Sequence, residues 1–162
     1  MEMEDQFSYI SAVKNFNRYI ERKHLRKTPE RFAILKKAWQ LGRHFAVEEL
    51  HMALESDSYH VSRATVYNTM ELLVDCGVIA RHQFGSGESV YEPVGRSHIH
   101  LVCTHCGKVR EADDKDGLLQ QLLSQRRYAG FEPAYYSTSI FGICSQCSRR
   151  FRKEEHEAKA GK

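Results

Sequence analysis

The sequence contains no long apolar run and no secretory signal. Among its 162 residues, no stretch approaches the roughly 18 consecutive apolar residues that a membrane-spanning helix needs. The first residues, MEMEDQFSY, are acidic and lack the basic and apolar regions of a signal peptide. Internal repeats are also absent. We therefore expect a cytoplasmic globular protein without a membrane partner, built as one large domain or two small ones.

Strong net charge is lacking too, since 24 basic and 21 acidic residues leave a formal charge of only +3. The charges are unevenly distributed, because between Lys14 and Arg43 there are ten basic residues and only two acidic ones, Glu21 and Glu30. Such a run is typical either of a solvated helix face or of a surface that binds a polyanion such as nucleic acid. Charge alone leaves both interpretations open.

Four of the five cysteines form two CxxC pairs, Cys103–Cys106 and Cys144–Cys147, with 37 residues between them. Four thiolates at this spacing can make a closed tetrahedral zinc site. Gly107 strengthens the prediction, because a glycine after the second cysteine permits the tight backbone of a zinc knuckle. Redox pairs, or a thiol switch built on the zinc site, are the alternative. We interpret the fifth cysteine, Cys76, as a small buried apolar residue.

Apolar residues recur at helical spacing through four segments of the first half. Two β-prone runs around a Gly-Ser-Gly turn follow the fourth segment and predict a hairpin. Caps and glycines set the boundaries, which gives helices ending near Arg22 and Gly42, a third through Leu54, and a fourth from Ser62 to Gly77. Three short helices and a hairpin predict a winged helix-turn-helix. A helical subdomain that packs on a partner is the alternative.

The second half changes to strand patterns after Pro93–Arg96, which we predict to be a hinge. HIHLVC and KVREA predict two strands around the zinc knuckle. Leucines at 118, 119, 122 and 123 predict a helix, and EPAYYSTSIFGIC predicts a long strand. The segment from Ser148 is charged, and we expect a mobile tail.

Two histidines, His98 and His100, stand at i and i+2 in a predicted strand, so their imidazoles point to the same face. Glu92 and Glu111 offer oxygen donors nearby, and His44 could reach from the N-terminal part. Paired surface histidines are common, so spacing alone leaves a second metal site as one of two interpretations.

The fourth predicted helix is the candidate reader of DNA bases. Polar side chains lie near its N-terminal end, away from the apolar stripe, where recognition helices contact base edges. A tyrosine ring can contact a thymine methyl group, and an asparagine can bond adenine. An exposed polar helix face explains the same composition equally well. The residues concerned are Arg63, Thr65, Tyr67 and Asn68.

The chain resembles the ferric uptake regulator family of bacterial metal-dependent repressors from about Arg18 to Cys147. The segments that carry the resemblance are RKTPER, HFAVEELH, SRATVYNTMELLVDCGVIARHQFGSGESVYE, HIHLVCTHCGKVRE and FGICSQC. The resemblance implies an α+β fold, with a winged-helix DNA-binding domain over 1–92, a hinge over 93–96, a dimerisation and metal-binding domain over 97–150, and a mobile charged tail over 151–162. It also implies a homodimer that binds a palindromic operator in double-stranded DNA.

The resemblance assigns roles to particular residues. The four CxxC cysteines would hold structural Zn²⁺. A regulatory divalent ion would be bound by His44, Glu92, His98, His100 and Glu111. Tyr67 matches the major-groove tyrosine of the family, Arg26 a basic residue that can enter the minor groove, and Arg31 a backbone-contacting arginine.

The chain departs from the family pattern at a third metal site that many members have. The four positions of that site read Ser97, Ile99, Leu118 and Tyr136, none of them an ordinary ligand, so we predict that the site is absent. Asn68 replaces the arginine that many members carry beside the tyrosine, which leaves operator preference open.

The regulatory donors suit Fe²⁺, Mn²⁺, Co²⁺ or Zn²⁺. Peroxide-sensing members tend to carry Asp where this chain has Glu92 and Glu111, and zinc sensors tend to recruit an additional sulfur ligand. We therefore predict an iron-responsive repressor and no enzymatic activity. A zinc-responsive or peroxide-responsive member of the family is an alternative, as is a zinc-thiol redox sensor. A hydrolase would need an open coordination position and a positioned base.

Overall fold

The protein was analysed as a computed structural model that describes residues 2–42, 44–84, 89–95, 98–113, 117, 121, 127–131 and 137–160. The chain divides into two compact units. The N-terminal unit comprises Met1–Gln83 and Glu88–Arg96, and the C-terminal unit comprises Phe84–Gly87 and Ser97–Lys162. None of the helices in the described ranges combines the length and apolar character that crossing a bilayer requires.

Four helices form most of the N-terminal unit, and they confirm the helical segments predicted from periodicity. Pro29 opens the second helix, where its missing N–H is not needed, and Gly42 ends that helix with φ of 60°. The N–H of Thr65 donates to the Ser62 side chain, which caps the fourth helix as predicted. The bounds are α1 (Glu2–Arg22), α2 (Pro29–Leu41), α3 (Val47–Ser56) and α4 (Arg63–Asp75).

One apolar core holds these helices together. The apolar stripe predicted for α4 is buried at Val66, Met70 and Leu73, and Cys76 packs partly buried against the same core. From α1, Phe16 and Ile20 are fully buried, and the Phe16 ring lies 5.5 Å from that of Phe32. The first helix is therefore an integral part of this unit.

Two short strands, β1 (Ile79–His82) and β2 (Val90–Pro93), pair antiparallel after α4, as the hairpin prediction required. The glycines between them lie outside the described residues. Phe45, just before α3, exchanges both backbone hydrogen bonds with Tyr91 of β2. The hairpin is therefore tied to the helical part of the unit, and helices with this hairpin make a winged helix.

The C-terminal unit contains a sheet in the order β4–β3–β5. The strands are β3 (His98–Cys103), β4 (Val109–Asp113) and β5 (Thr138–Gly142). β3 pairs antiparallel with β4 and parallel with β5. The two strands predicted around the zinc knuckle are confirmed, and β5 lies within the predicted long strand. The predicted leucine helix falls largely outside the described residues.

A helix, α5 (Ser145–Ala160), follows the last cysteine pair. The structure here differs from the prediction of a mobile charged tail over 151–162, because the helix continues to Ala160. The opposite charges of Arg150 and Glu154, and of Lys153 and Glu157, lie at i,i+4 and support the helix from its exposed face.

Candidate metal centre and nucleic-acid interface

The two CxxC pairs are brought together at one end of the sheet. Cys103 ends β3, and the turn after it returns the chain to β4 through Gly107, whose φ is 71°. Such a left-handed φ favours glycine, as the sequence predicted. The second pair opens α5, where the N–H of Cys144 donates to the Cys103 sulfur at 3.3 Å. Backbone contacts therefore join the two knuckles.

The four sulfur atoms have the spacing that a tetrahedral zinc ion requires. They all lie within 4.8 Å of one another, and the Sγ atoms of Cys106 and Cys144 are 3.8 Å apart. With Zn–S bonds of about 2.3 Å, the edge of a regular tetrahedron is about 3.8 Å. Cys103 and Cys147 are buried, so the cluster is part of the fold. The donor set suits structural zinc.

The local backbone prepares part of this site for a cation. Backbone N–H groups of Cys106 and Cys144 stabilise the thiolate of Cys103 and lower its pKa to about 6. Burial and the neighbouring thiols raise the pKa of Cys147 to about 12. A divalent cation would compensate the burial of that second thiolate, because metal-bound thiols are deprotonated.

In the N-terminal unit, His44 and Glu92 come together as the resemblance implied. The backbone bridge between Phe45 and Tyr91 places their neighbours His44 and Glu92 opposite each other. His44 Nε2 lies 3.3 Å from Glu92 Oε2, and Glu92 is only 8% exposed. These two side chains offer one nitrogen and one carboxylate to a metal ion.

A further histidine, His82, contacts the other oxygen of the same carboxylate, with Nε2 lying 2.7 Å from Glu92 Oε1. Sequence reasoning missed this residue. The available signal was the hairpin, because Ala80 pairs with Glu92 and the alternation of a strand puts His82 on the same face. Glu92 therefore lies between two imidazoles, one on each oxygen.

In the C-terminal unit, His98 and His100 converge as predicted. Their Nε2 atoms are 2.9 Å apart, close to the roughly 3.0 Å between adjacent ligands at right angles when each nitrogen lies about 2.1 Å from the ion. Ser137 Oγ lies 3.3 Å from Nδ1 of His100, which is 1% exposed. Glu111 pairs directly opposite His100 on β4, which places both side chains on one face of the sheet.

The third-site positions give less information. Ile99 lies in β3, while 97, 118 and 136 fall outside the described residues. The absence of that site stays a prediction.

The candidate DNA-reading residues lie on the first turns of α4. Arg63, Tyr67 and Asn68 are exposed, while Thr65 is half-buried and its hydroxyl contacts Ser62 at 2.8 Å. The Tyr67 hydroxyl donates a hydrogen bond to Glu48 of α3. The exposed ends of α4 thus carry the predicted groups on a surface that a duplex could contact.

Two further basic candidates lie at the start of α2. Arg26 is exposed, and its carbonyl oxygen accepts a hydrogen bond from the guanidinium of Arg31. This contact fixes Arg31 against the segment that precedes the helix. Nothing in the sequence indicated the contact, because it depends on the path of the chain between α1 and α2.

A winged helix, followed along the chain by a sheet with a four-cysteine cluster and paired histidines, defines a metal-binding regulator of transcription. Comparison with known proteins agrees with this class. The sequence model of the ferric uptake regulator family matches residues 22–141. The chain is 30% identical over 132 residues to the peroxide operon regulator of Bacillus subtilis, which covers 82% of this chain and 88% of that protein.

Solved structures give the same result. The ferric uptake regulator of Vibrio cholerae has a TM-score of 0.53 and 30% identity, and the match covers 79% of this chain and 98% of that one. The regulator of Pseudomonas aeruginosa with manganese has a TM-score of 0.62 and 26% identity, with 80% and 97% covered. This chain belongs to the ferric uptake regulator family. It is therefore a metal-responsive, DNA-binding transcriptional repressor of a family whose members act as dimers and include iron, zinc and peroxide sensors.

Proposed function

We propose that this chain is an iron-responsive repressor, acting in the cytoplasm as a homodimer on a palindromic operator. The observation that carries the proposal is the convergence of His98 and His100, whose Nε2 atoms are 2.9 Å apart on a described sheet face that also bears Glu111. Two imidazoles and a carboxylate are a donor set for a divalent transition-metal ion. His44 and Glu92, paired in the other unit, supply the remaining proposed ligands.

The proposed ion responds to metal supply because its ligands belong to both units. An ion that joins the two donor sets favours one arrangement of the winged helices over others. Raising the DNA-ready fraction from about 1% to about 99% needs about 5.5 kcal/mol of differential binding. A site with several ligands can supply this amount, since an arrangement that lacks the interdomain ligands loses their contacts.

The carboxylates support iron. Glu92 and Glu111 are glutamates at both positions where peroxide-sensing members tend to carry aspartate, and no sulfur other than the four clustered cysteines and Cys76 is a cysteine thiol. Cys76 donates to the carbonyl of Leu73 and packs against the helical core, so it does not contribute to either donor set.

An exposed apolar strand supports the homodimer. β5 lies at one edge of the described sheet, and Ile140, Phe141 and Ile143 at its end are more than half exposed, at 53%, 62% and 54%. Apolar residues in such numbers at a sheet edge are typical of an interface. A two-fold dimer would present two α4 helices to half-sites about 34 Å apart, which requires a palindromic operator. We propose the domain boundaries 1–92, 93–96 and 97–150 for this arrangement.

The test is metal-dependent binding to a duplex selected from a randomised pool by the Mn²⁺-loaded protein. Replacing His98 and His100 with Ala should abolish the stimulation by Fe²⁺ or Mn²⁺ while zinc content and dimer mass stay unchanged. The matched control is His60→Ala, because His60 is an exposed imidazole in the N-terminal unit, with 77% of its side chain accessible. Full stimulation in the double variant would refute the regulatory site.

Peroxide-responsive repression is the second candidate, and the similarity to the peroxide operon regulator of Bacillus subtilis favours it. The Fe²⁺-loaded and Mn²⁺-loaded proteins, each bound to the selected duplex, should be treated with hydrogen peroxide. We expect equal loss of binding, if any, in both. Release confined to the Fe²⁺ form, together with oxygen added to a proposed histidine ligand, would replace iron sensing by peroxide sensing.

A further inference from the structure

An acidic residue lies on the surface that we propose to face DNA. Glu48, in the first turn of α3, accepts the hydrogen bond from the hydroxyl of Tyr67 on α4. Glu48 is exposed, and Tyr67 is 43% exposed. A carboxylate repels phosphate groups, so a general requirement for DNA affinity does not explain an acid at this place.

The contact determines which part of the tyrosine can face a duplex. A phenol has one proton to donate, and here that proton goes to the carboxylate of Glu48. The hydroxyl therefore cannot donate to a phosphate or a base at the same time. The apolar ring edge is the part left for a base contact, and a thymine methyl group is its complement in the major groove.

The carboxylate is ionised at neutral pH, so it is a strong acceptor. The hydrogen bond from Tyr67 lowers the pKa of Glu48, and its own backbone N–H and the charges of Arg63 and His51 act in the same direction. A hydrogen bond to an ionised acceptor is stronger than one between neutral groups. Glu48 is thus able to hold the ring of Tyr67 before DNA arrives.

We propose that Glu48 is a positioning residue for operator recognition, which fixes the Tyr67 ring for contact with a thymine methyl group. The proposal rests on the proposed function, in which α4 reads the major groove. It also assigns a second effect to the same side chain. The negative charge weakens binding to any duplex, so Glu48 raises the ratio of operator to non-operator affinity.

The experiment compares two duplexes with the same selected sequence, one with thymine and one with deoxyuridine at the contacted positions. The Mn²⁺-loaded protein is titrated with each duplex by fluorescence anisotropy. Wild type should prefer thymine by about fourfold per contacted methyl group, the factor that corresponds to about 0.8 kcal/mol for burying one methyl-sized group. Glu48→Ala should lose this preference, and binding to a random duplex should become tighter.

Variants separate the positioning effect from charge and stability. Glu48→Gln keeps an acceptor without charge, so it should retain most of the methyl preference. Tyr67→Phe keeps the ring without its anchor and should resemble Glu48→Ala, and the two changes together should be no worse than either. Glu49→Gln removes one charge from the same turn and should leave the methyl preference intact. Unchanged thermal unfolding of each variant shows that the fold is preserved.

The outcomes distinguish this inference from the proposed function. If Tyr67→Ala leaves operator affinity unchanged, the tyrosine does not contact DNA, and the proposed DNA interface is wrong. If Tyr67→Ala weakens operator binding but Glu48→Ala retains the full thymine preference, the positioning role alone is refuted. Equal loss of preference in Glu48→Ala and Glu49→Gln would likewise refute it, because charge would then be the cause.

Discussion

Replacement of Cys103 by serine should weaken zinc binding and reveal how much of the C-terminal unit depends on the ion. Structural zinc sites contribute about 10–16 kcal/mol of apparent binding free energy near neutral pH. Divided among four sulfur ligands, this amounts to roughly 2.5–4 kcal/mol for each, or roughly a 70- to 900-fold loss of affinity per ligand removed. The four sulfurs already have nearly tetrahedral spacing, so little of this energy is used to rearrange the chain.

The structure predicts an order among the cysteines. Cys103 is 4% exposed and also accepts the N–H of Cys144, whereas Cys106 is exposed. Water can replace a ligand at the exposed position more easily than at the buried one. Cys103→Ser should therefore lose more zinc affinity than Cys106→Ser, and its loss should lie near the upper end of the range.

The assay is competition for zinc between the protein and a chromophoric chelator, with thermal unfolding measured on the same samples. Cys76→Ser is the matched control, because Cys76 packs against the helical core away from the cluster. It should retain one equivalent of zinc at wild-type affinity. A Cys103→Ser variant that binds one equivalent within about threefold of the wild-type affinity would refute the four-sulfur site, since each ligand should contribute at least tens of fold.

Three further changes test other parts of the structure. Ile20→Ala should lower the free energy of unfolding by about 2–5 kcal/mol in urea titration, since Ile20 is fully buried, whereas Ile10→Ala, 45% exposed, should change it by less than about 0.5 kcal/mol; equal effects would contradict the packing of α1. Tyr19→Phe should lose about 1 kcal/mol, because the hydroxyl donates to Asp75 at 3.2 Å, and an unchanged value would contradict that contact. Cys76 should be alkylated about 100-fold more slowly at pH 8 than an ordinary thiol, since burial raises its pKa from 9.0 to about 11 and leaves less thiolate; an ordinary rate in folded protein would contradict this.

Local sequence rules predicted the helices well because each boundary has a local cause. In α4, the serine cap and the apolar stripe are both encoded within a few residues, and Ser62, Val66 and Met70 behave as their spacing indicated. The cysteine cluster was predictable for a similar reason, since CxxC places two sulfurs on one turn. Chemistry that lies within one turn of the chain can be read from one turn of the sequence.

The contacts that sequence reasoning missed depend on register and on the path of loops. His82 reaches Glu92 because β1 and β2 pair in one particular register across a turn of undetermined length in the sequence. Glu48 meets Tyr67 because α3 and α4 pack together, and no spacing rule connects residues 19 positions apart on different helices. The tail was wrongly expected to be a mobile segment because its composition was weighed without the i,i+4 pairs that support α5.

The two kinds of donor in this chain differ in how they are satisfied without a metal ion. Thiols crowd together at the cysteine cluster, and burial of Cys147 leaves a thiolate there without compensation unless a cation binds. By contrast, Glu92 is already hydrogen-bonded by imidazoles, and His98 and His100 contact each other. A metal ion must displace those contacts, so its net gain is smaller and its binding more readily reversed. Slow exchange suits the ion that holds the fold, and fast exchange suits the ion that reports metal supply, which is the division that a metal-responsive repressor requires.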